Sequence, residues 1–103
     1  MASNKAIFQI HSVFYINGRG LTFAGDLLDG SIDLGDYIEF EANGRLYKRM
    51  INVRDSGGNS IDGKVHYGIS IRTENEAEST QLTNWKPNKA IATIKKIKSE
   101  WRN

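Results

Sequence analysis

The chain has 103 residues, 39% of them hydrophobic and 25% charged, with a formal net charge of +2. That is room for one folded domain, with too much apolar content for wholesale disorder and no run of about 18 apolar residues to cross a membrane. It has no cysteine, which excludes disulfides, thiolate nucleophiles and thiolate metal sites together.

Met1 to Ala6 has no apolar stretch of the signal-peptide kind, so a cytoplasmic protein is expected. From Ala6 to Ile16 the apolar positions follow a strand period. Phe8, Ile10, Phe14 and Ile16 share one parity, and Val13 and Tyr15 the other. Asn17-Gly18 stops the run and starts a hairpin. The return strand runs from Leu21 to Leu28, with Gly25 inside it where a bulge or bend is expected. Turns follow at Asp29-Gly30 and Gly35-Asp36. A third strand, Tyr37 to Glu41, sends Ile38 and Phe40 one way and Tyr37, Glu39 and Glu41 the other.

Asn43-Gly44 marks a second tight hairpin. The fourth strand runs from Arg45 to about Arg54, and Ser56 to Ser60 reads as a flexible loop. The fifth, Lys64 to Arg72, carries Val65, Tyr67, Ile69 and Ile71 on one parity. Thr73 to Asn88 is polar and holds the only proline, Pro87. It has room for one helical turn around Glu76 to Leu82. In the last segment, Ile91, Ile94, Ile97 and Trp101 fit a helical stripe. A sixth strand ending near Ile97 also fits, and the five strands before it favour that reading. The expectation is an all-β fold: a small closed antiparallel barrel of about six strands. It would form one domain over residues 1–103, with a basic C-terminal strand or tail at 89–103.

Charge is unevenly placed. Asp26 to Glu41 holds six acids and no Lys or Arg, while Lys86 to Asn103 holds six cations against Glu100. One reading is a basic surface with an anionic partner. The other is self-complementation, the basic end lying against the acidic block.

The segment Val13 to Leu27, VFYINGRGLTFAGDL, resembles the opening hairpin of the second domain of translational GTPases, the elongation factor Tu type. Asp29-Gly30-Ser31-Ile32-Asp33-Leu34-Gly35-Asp36 is similar to that family's next turn. His66-Tyr67-Gly68-Ile69-Ser70-Ile71 is similar to its fifth strand. Gly18, Gly20, Gly25, Gly30, Gly35 and Asp36 then read as the barrel's corners. The family's barrel follows a GTPase domain, and no Gly-x-x-x-x-Gly-Lys-Ser/Thr occurs here. His11 and Ser12 stand where the family has an acidic pair, and Phe14 matches the aromatic after it. The resemblance implies a translation-factor-like barrel acting as a binding module.

No catalytic constellation is visible. His11 and His66 are the only histidines, too few for structural zinc, and read as partly exposed strand residues. Asp26, Asp29, Asp33 and Asp36 miss the spacing of a calcium-binding EF-hand loop and read as turn chemistry. Asp55 to Asn59 could cradle a phosphate only by opening a helix, and more turn residues follow. No metal, cofactor or enzymatic activity is expected.

The leading function is binding of RNA or the ribosome through basic residues with aromatics beside them: Arg19, Arg45, Lys48, Arg49, Lys86, Lys89, Lys95, Lys96, Lys98 and Arg102, with Trp85 and Trp101 for stacking. Four such cations on phosphates would give a log–log salt slope of roughly −3 on single strands. The alternative is a protein-interaction module with another protein or itself as partner, using aromatics such as Tyr15, Phe23 and Tyr37. Neither reading involves a membrane.

Overall fold

The computed structural model describes residues 5–59 and 65–96. Six strands and one helix follow in chain order: β1 (Lys5–Ile16), β2 (Gly20–Asp29), β3 (Tyr37–Ala42), β4 (Arg45–Asn59), β5 (Val65–Ile71), α1 (Glu76–Thr83) and β6 (Ala90–Lys95). The strands form a closed antiparallel barrel in the order β1-β2-β5-β4-β3-β6. β6 completes the ring by pairing with β1 on one side and β3 on the other. The last segment is therefore a strand over its described residues. Ile97, Lys98, Trp101 and Arg102 lie outside them.

The inward parity packs one core: Phe8, Ile10, Leu21, Phe23, Ile38, Phe40, Tyr47, Ile51, Ile69, Ile71, Ala92 and Ile94 are all buried. Phe40 is its aromatic centre. Phe23 meets it edge-on at 5.0 Å, while Tyr47 and Trp85 stack on it at 5.2 and 5.8 Å. Leu82 of α1, also fully buried, joins the same cluster.

Two corners show how the sequence sets the turns. In the β3–β4 hairpin Asn43 and Gly44 both take positive φ, 54° and 77°, the mirror-image turn that matches strand twist. Gly35, at φ 90°, lets its N–H reach the Ile51 carbonyl at 3.1 Å. Asp36 beside it accepts from the Asp33 N–H at 2.8 Å. Gly18, Gly20 and Gly30 also adopt left-handed φ. Gly25 has a different reason. A Cβ there would sit 1.9 Å from the Gln9 carbonyl oxygen and 2.9 Å from Cζ of Phe8, so β1 approaches too closely for any side chain.

Three elements depart from the sequence expectation. The β1 parity does not hold: Ile10 pairs with Gly25 and Ser12 with Ala24, leaving His11 as the extra residue of a bulge. Beyond it the faces swap, so Val13 packs on the core and Phe14 is 40% exposed. β4 continues to Asn59 instead of ending near Arg54, because Ser56 and Asn59 still pair with Tyr67 and Val65 across a second irregularity. The glycines there lie in a strand, not at the start of a helix. The expected helical turn is a full eight-residue helix.

Gly25→Ala is expected to cost roughly 3 kcal/mol by overpacking against β1. Gly68→Ala, where an added Cβ meets nothing within 4 Å, is expected to change stability by less than about 0.5 kcal/mol. Urea unfolding of the two variants checks the contrast.

Candidate binding cleft

α1 contains too few apolar residues to dock by a stripe. Polar contacts hold it instead. Asn75 caps its N-terminus, its Oδ1 accepting from the Glu78 N–H at 2.9 Å. Arg49 of β4 donates to both Glu78 oxygens, at 2.7 and 2.5 Å. The two side chains are only 13% and 5% exposed, and this two-pronged geometry is the strong form of the pair. The hydrogen bonds from Arg49 outweigh burial and hold the Glu78 carboxyl below the usual carboxylate range. The Arg49 guanidinium also lies 5.3 Å from the centre of the Tyr47 ring. Arg49, expected on a nucleic-acid surface, is thus the bolt that fixes α1 to the barrel.

Several other expected cations are also engaged within the fold. Lys96 donates to the Ser31 carbonyl at 2.7 Å and to Asp36 at 3.0 Å, with Asp33 at 3.2 Å. Burial works against its charge, but the bonds to Asp36 and Asp33 prevail and raise its pKa. Lys95 pairs with Glu39 at 3.1 Å. For these two residues the basic end does lie against the acidic block. Trp85 is a core ring on Phe40. Arg45 and Lys48 are exposed but lie over the Tyr47 and Tyr37 rings, at 4.9 and 5.4 Å. Lys86 and Lys89 are exposed on the α1–β6 connection. The described cations of the expected basic surface thus lie on the β1–β2 hairpin, on β4, at the end of β6 and on the α1–β6 connection, with Lys48 and Lys95 flanking Tyr37. Of the expected interaction aromatics, Phe23 is wholly buried.

What the fold does assemble is a cleft of about 780 Å³ between the β1–β2 hairpin and α1. Arg19 enters from the hairpin tip, where its N–H closes the turn onto the Ile16 carbonyl at 3.0 Å. Its Nη1 meets Asp55 at 2.6 Å. Arg72 follows the end of β5 and, among the described residues, has no carboxylate partner. Tyr15 contributes a ring that is 55% exposed. Asn52 is turned into the lining by a bulge in β4, where Ile51 pairs with Ile71 and Val53 with Ser70. Asn17, Asn84, Thr73 and Thr80 add amides and hydroxyls, and Glu76 is the one carboxylate among the described lining residues.

Of these, only Arg19 stood in the expected nucleic-acid set. Its signal was the glycine on each side. Tyr15 was expected as an exposed aromatic. Arg72 and Asn52 gave no local signal, because a strand end and a bulge become visible only once register is known.

The two histidines are not independent. His11 Nε2 lies 2.8 Å from Asp26 Oδ2, and His66 Nδ1 lies against Oδ1. Asp26 is therefore not a turn residue but a buried outer-wall carboxylate. Among the described residues no group of three or more His, Cys, Asp or Glu is placed to hold a metal ion, and no helix is long and apolar enough to cross a membrane. Comparison with protein-family models, with curated proteins and with solved structures finds no match.

Glu78→Ala is expected to destabilise the protein by about 3 kcal/mol, since it leaves the part-buried Arg49 guanidinium with only the exposed Glu74 carboxylate at 3.8 Å, and to speed amide exchange in α1. Because the folded Glu78 carboxyl lies below its unfolded value, its contribution is complete above about pH 4.3 and is lost as pH falls through the folded value. The urea midpoint should fall on acidification, less steeply in Glu78→Gln than in the wild type.

Proposed function

We propose that this chain is a non-enzymatic, cytoplasmic binding module of the translation-factor-barrel type, and that it takes single-stranded RNA in the cleft between the β1–β2 hairpin and α1. One observation carries the reading: Arg19, Arg72 and the exposed Tyr15 ring line a single cleft of about 780 Å³ whose other walls are mostly amides and hydroxyls. Guanidiniums take phosphates in two-pronged fashion. An exposed ring stacks on any base, and side-chain amides suit the hydrogen-bonding edges of unstacked bases. The closed six-strand barrel and the hairpin residues quoted above support the translation-factor comparison.

The site is smaller than the sequence suggested, and that changes the number to be measured. Two phosphate contacts give a salt slope of about −1.4 on single strands, against roughly −3 for four. Between about 50 and 200 mM salt, affinity should then fall about sevenfold. The protein-interaction reading keeps Tyr15 of its three aromatics; Tyr37 is half-buried beneath Lys48.

Fluorescence anisotropy with a short single-stranded RNA tests the proposal. Arg72→Ala should reduce the slope by about 0.7. Tyr15→Ala should cost about 1–3 kcal/mol of binding. Lys95→Ala, whose side chain pairs with Glu39 on the outer wall, should leave binding unchanged. Affinity indifferent to salt and to Arg72→Ala overturns the proposal, and a dimer on gel filtration with no RNA affinity favours the protein partner.

A further inference from the structure

The outer wall of β1, β2 and β5 carries a group of ionisable side chains that the cleft does not use. Asp26 occupies the register position between Gln9 of β1 and His66 of β5. Although it belongs to the outward parity, it is 3% exposed, because two imidazoles cover it. His11 reaches it only as the extra residue of the β1 bulge. Burial alone would push the Asp26 carboxyl up, but the bonds and charges of His11 and His66 outweigh it, so the group is a stable carboxylate. Each imidazole spends one nitrogen on Asp26. Nδ1 of His11 and Nε2 of His66 are left to take or release a proton.

His11 also forms part of a second recess, of about 470 Å³, with Ser12, Val13, Trp85, Lys86 and Pro87 among its other walls. Lys86 has no carboxylate partner among the described residues. We propose that this recess is a proton-operated oxyanion site, in which Lys86 and protonated His11 hold a sulfate- or phosphate-type group.

The charge count gives the switch. With both imidazoles neutral, the trio carries −1 and Lys86 brings the recess to zero. Each proton adds one charge, so the fully protonated arrangement carries +2. Among the described residues, the charged groups facing His11 are Asp26 from β2 and Lys86 from the α1–β6 connection, with His66 of β5 on the far oxygen of Asp26; α1 contributes only Thr83, which is uncharged. The recess therefore goes from neutral to positive as the imidazoles take protons, and histidine is the side chain that ordinarily changes charge between about pH 5 and 8. Asp26 keeps both rings in place while this happens, because it accepts from the same ring nitrogen in either state and more strongly from the charged ring.

The proposal stands apart from RNA binding, and its probe is inorganic sulfate, which stays a dianion across the range. Sulfate is titrated at about pH 5.5 and about pH 8 while the imidazole and lysine resonances are followed by NMR. Binding about tenfold tighter at the lower pH, with shifts at His11 and Lys86, is the expected result. His11→Gln retains a donor for Asp26 but cannot take a proton, and should remove most of the pH dependence, leaving only what His66 contributes from the far oxygen of Asp26. Lys86→Ala should weaken binding at both values. Oligonucleotides with a 5′-phosphate and a 5′-hydroxyl distinguish the source: a preference for the phosphate that grows at low pH identifies a strand end, and sulfate binding without that preference identifies a free oxyanion. Equal sulfate affinity at both pH values, or pH dependence undiminished by His11→Gln, overturns the proposal.

Discussion

Barrel closure through β6 is the constraint from which the remaining features follow. β6 has six residues and must satisfy two neighbours, β1 and β3. Its pairing leaves no open edge in the described ring. It also dictates where the charges go. The chain must return from β5 to the gap between β1 and β3, and in doing so it lays Lys95 on Glu39 and Lys96 on Asp33 and Asp36. Asp36 is 1% exposed, and a carboxylate at that depth requires a cation. The charge asymmetry of the sequence is thus partly a closure device, acting between the last strand and the β2–β3 connection.

The same return path determines α1. A crossing from β5 to β6 has to pass over one end of the barrel, and α1 with Trp85 covers that end. Leu82 and Trp85 are its apolar contacts with the core. The Arg49–Glu78 pair does the rest. Such a helix has little hydrophobic periodicity, which is why Thr73 to Asn88 reads from sequence as an irregular polar segment. Its cap residue Asn75 and the acids of its first turn are ordinary helix-start chemistry. They mark where a helix begins and do not reveal what it rests on.

The strands were legible because period-two alternation and the Asn-Gly turn are local properties. Ile38 and Phe40, Val65 to Ile71 and the Asn43-Gly44 hairpin needed nothing beyond their own neighbours. Phe14 was misplaced because a single inserted residue, His11, reverses every face after it. Arg49 reads from its own neighbours as a surface cation for a related reason. Its strand parity points inward, but it stands where a helix supplies a carboxylate from 29 residues away. Arg19 was legible from the glycines beside it. Arg72, Asn52 and the histidine pairing with Asp26 were not, since each depends on a contact between distant strands.

Both recesses owe a wall to a bulge. In β4 the extra residue is Asn52, which enters the larger cleft; in β1 it is His11, which reaches Asp26 and the smaller recess. A strand without bulges would send alternate side chains strictly in or out, so the bulges supply the directions that a regular barrel lacks. Thr83 lines both recesses, so the C-terminal turn of α1 is the partition between them. That partition is held by Leu82 in the core and by Glu78 on Arg49, two buried contacts one turn apart on the same face of one short helix. Loosening either would alter both recesses together, whereas changes at Arg72 or Lys86 should remain confined to their own side. The physical link between the two sites is therefore the docking of α1, and it runs through a buried ion pair instead of through the barrel wall.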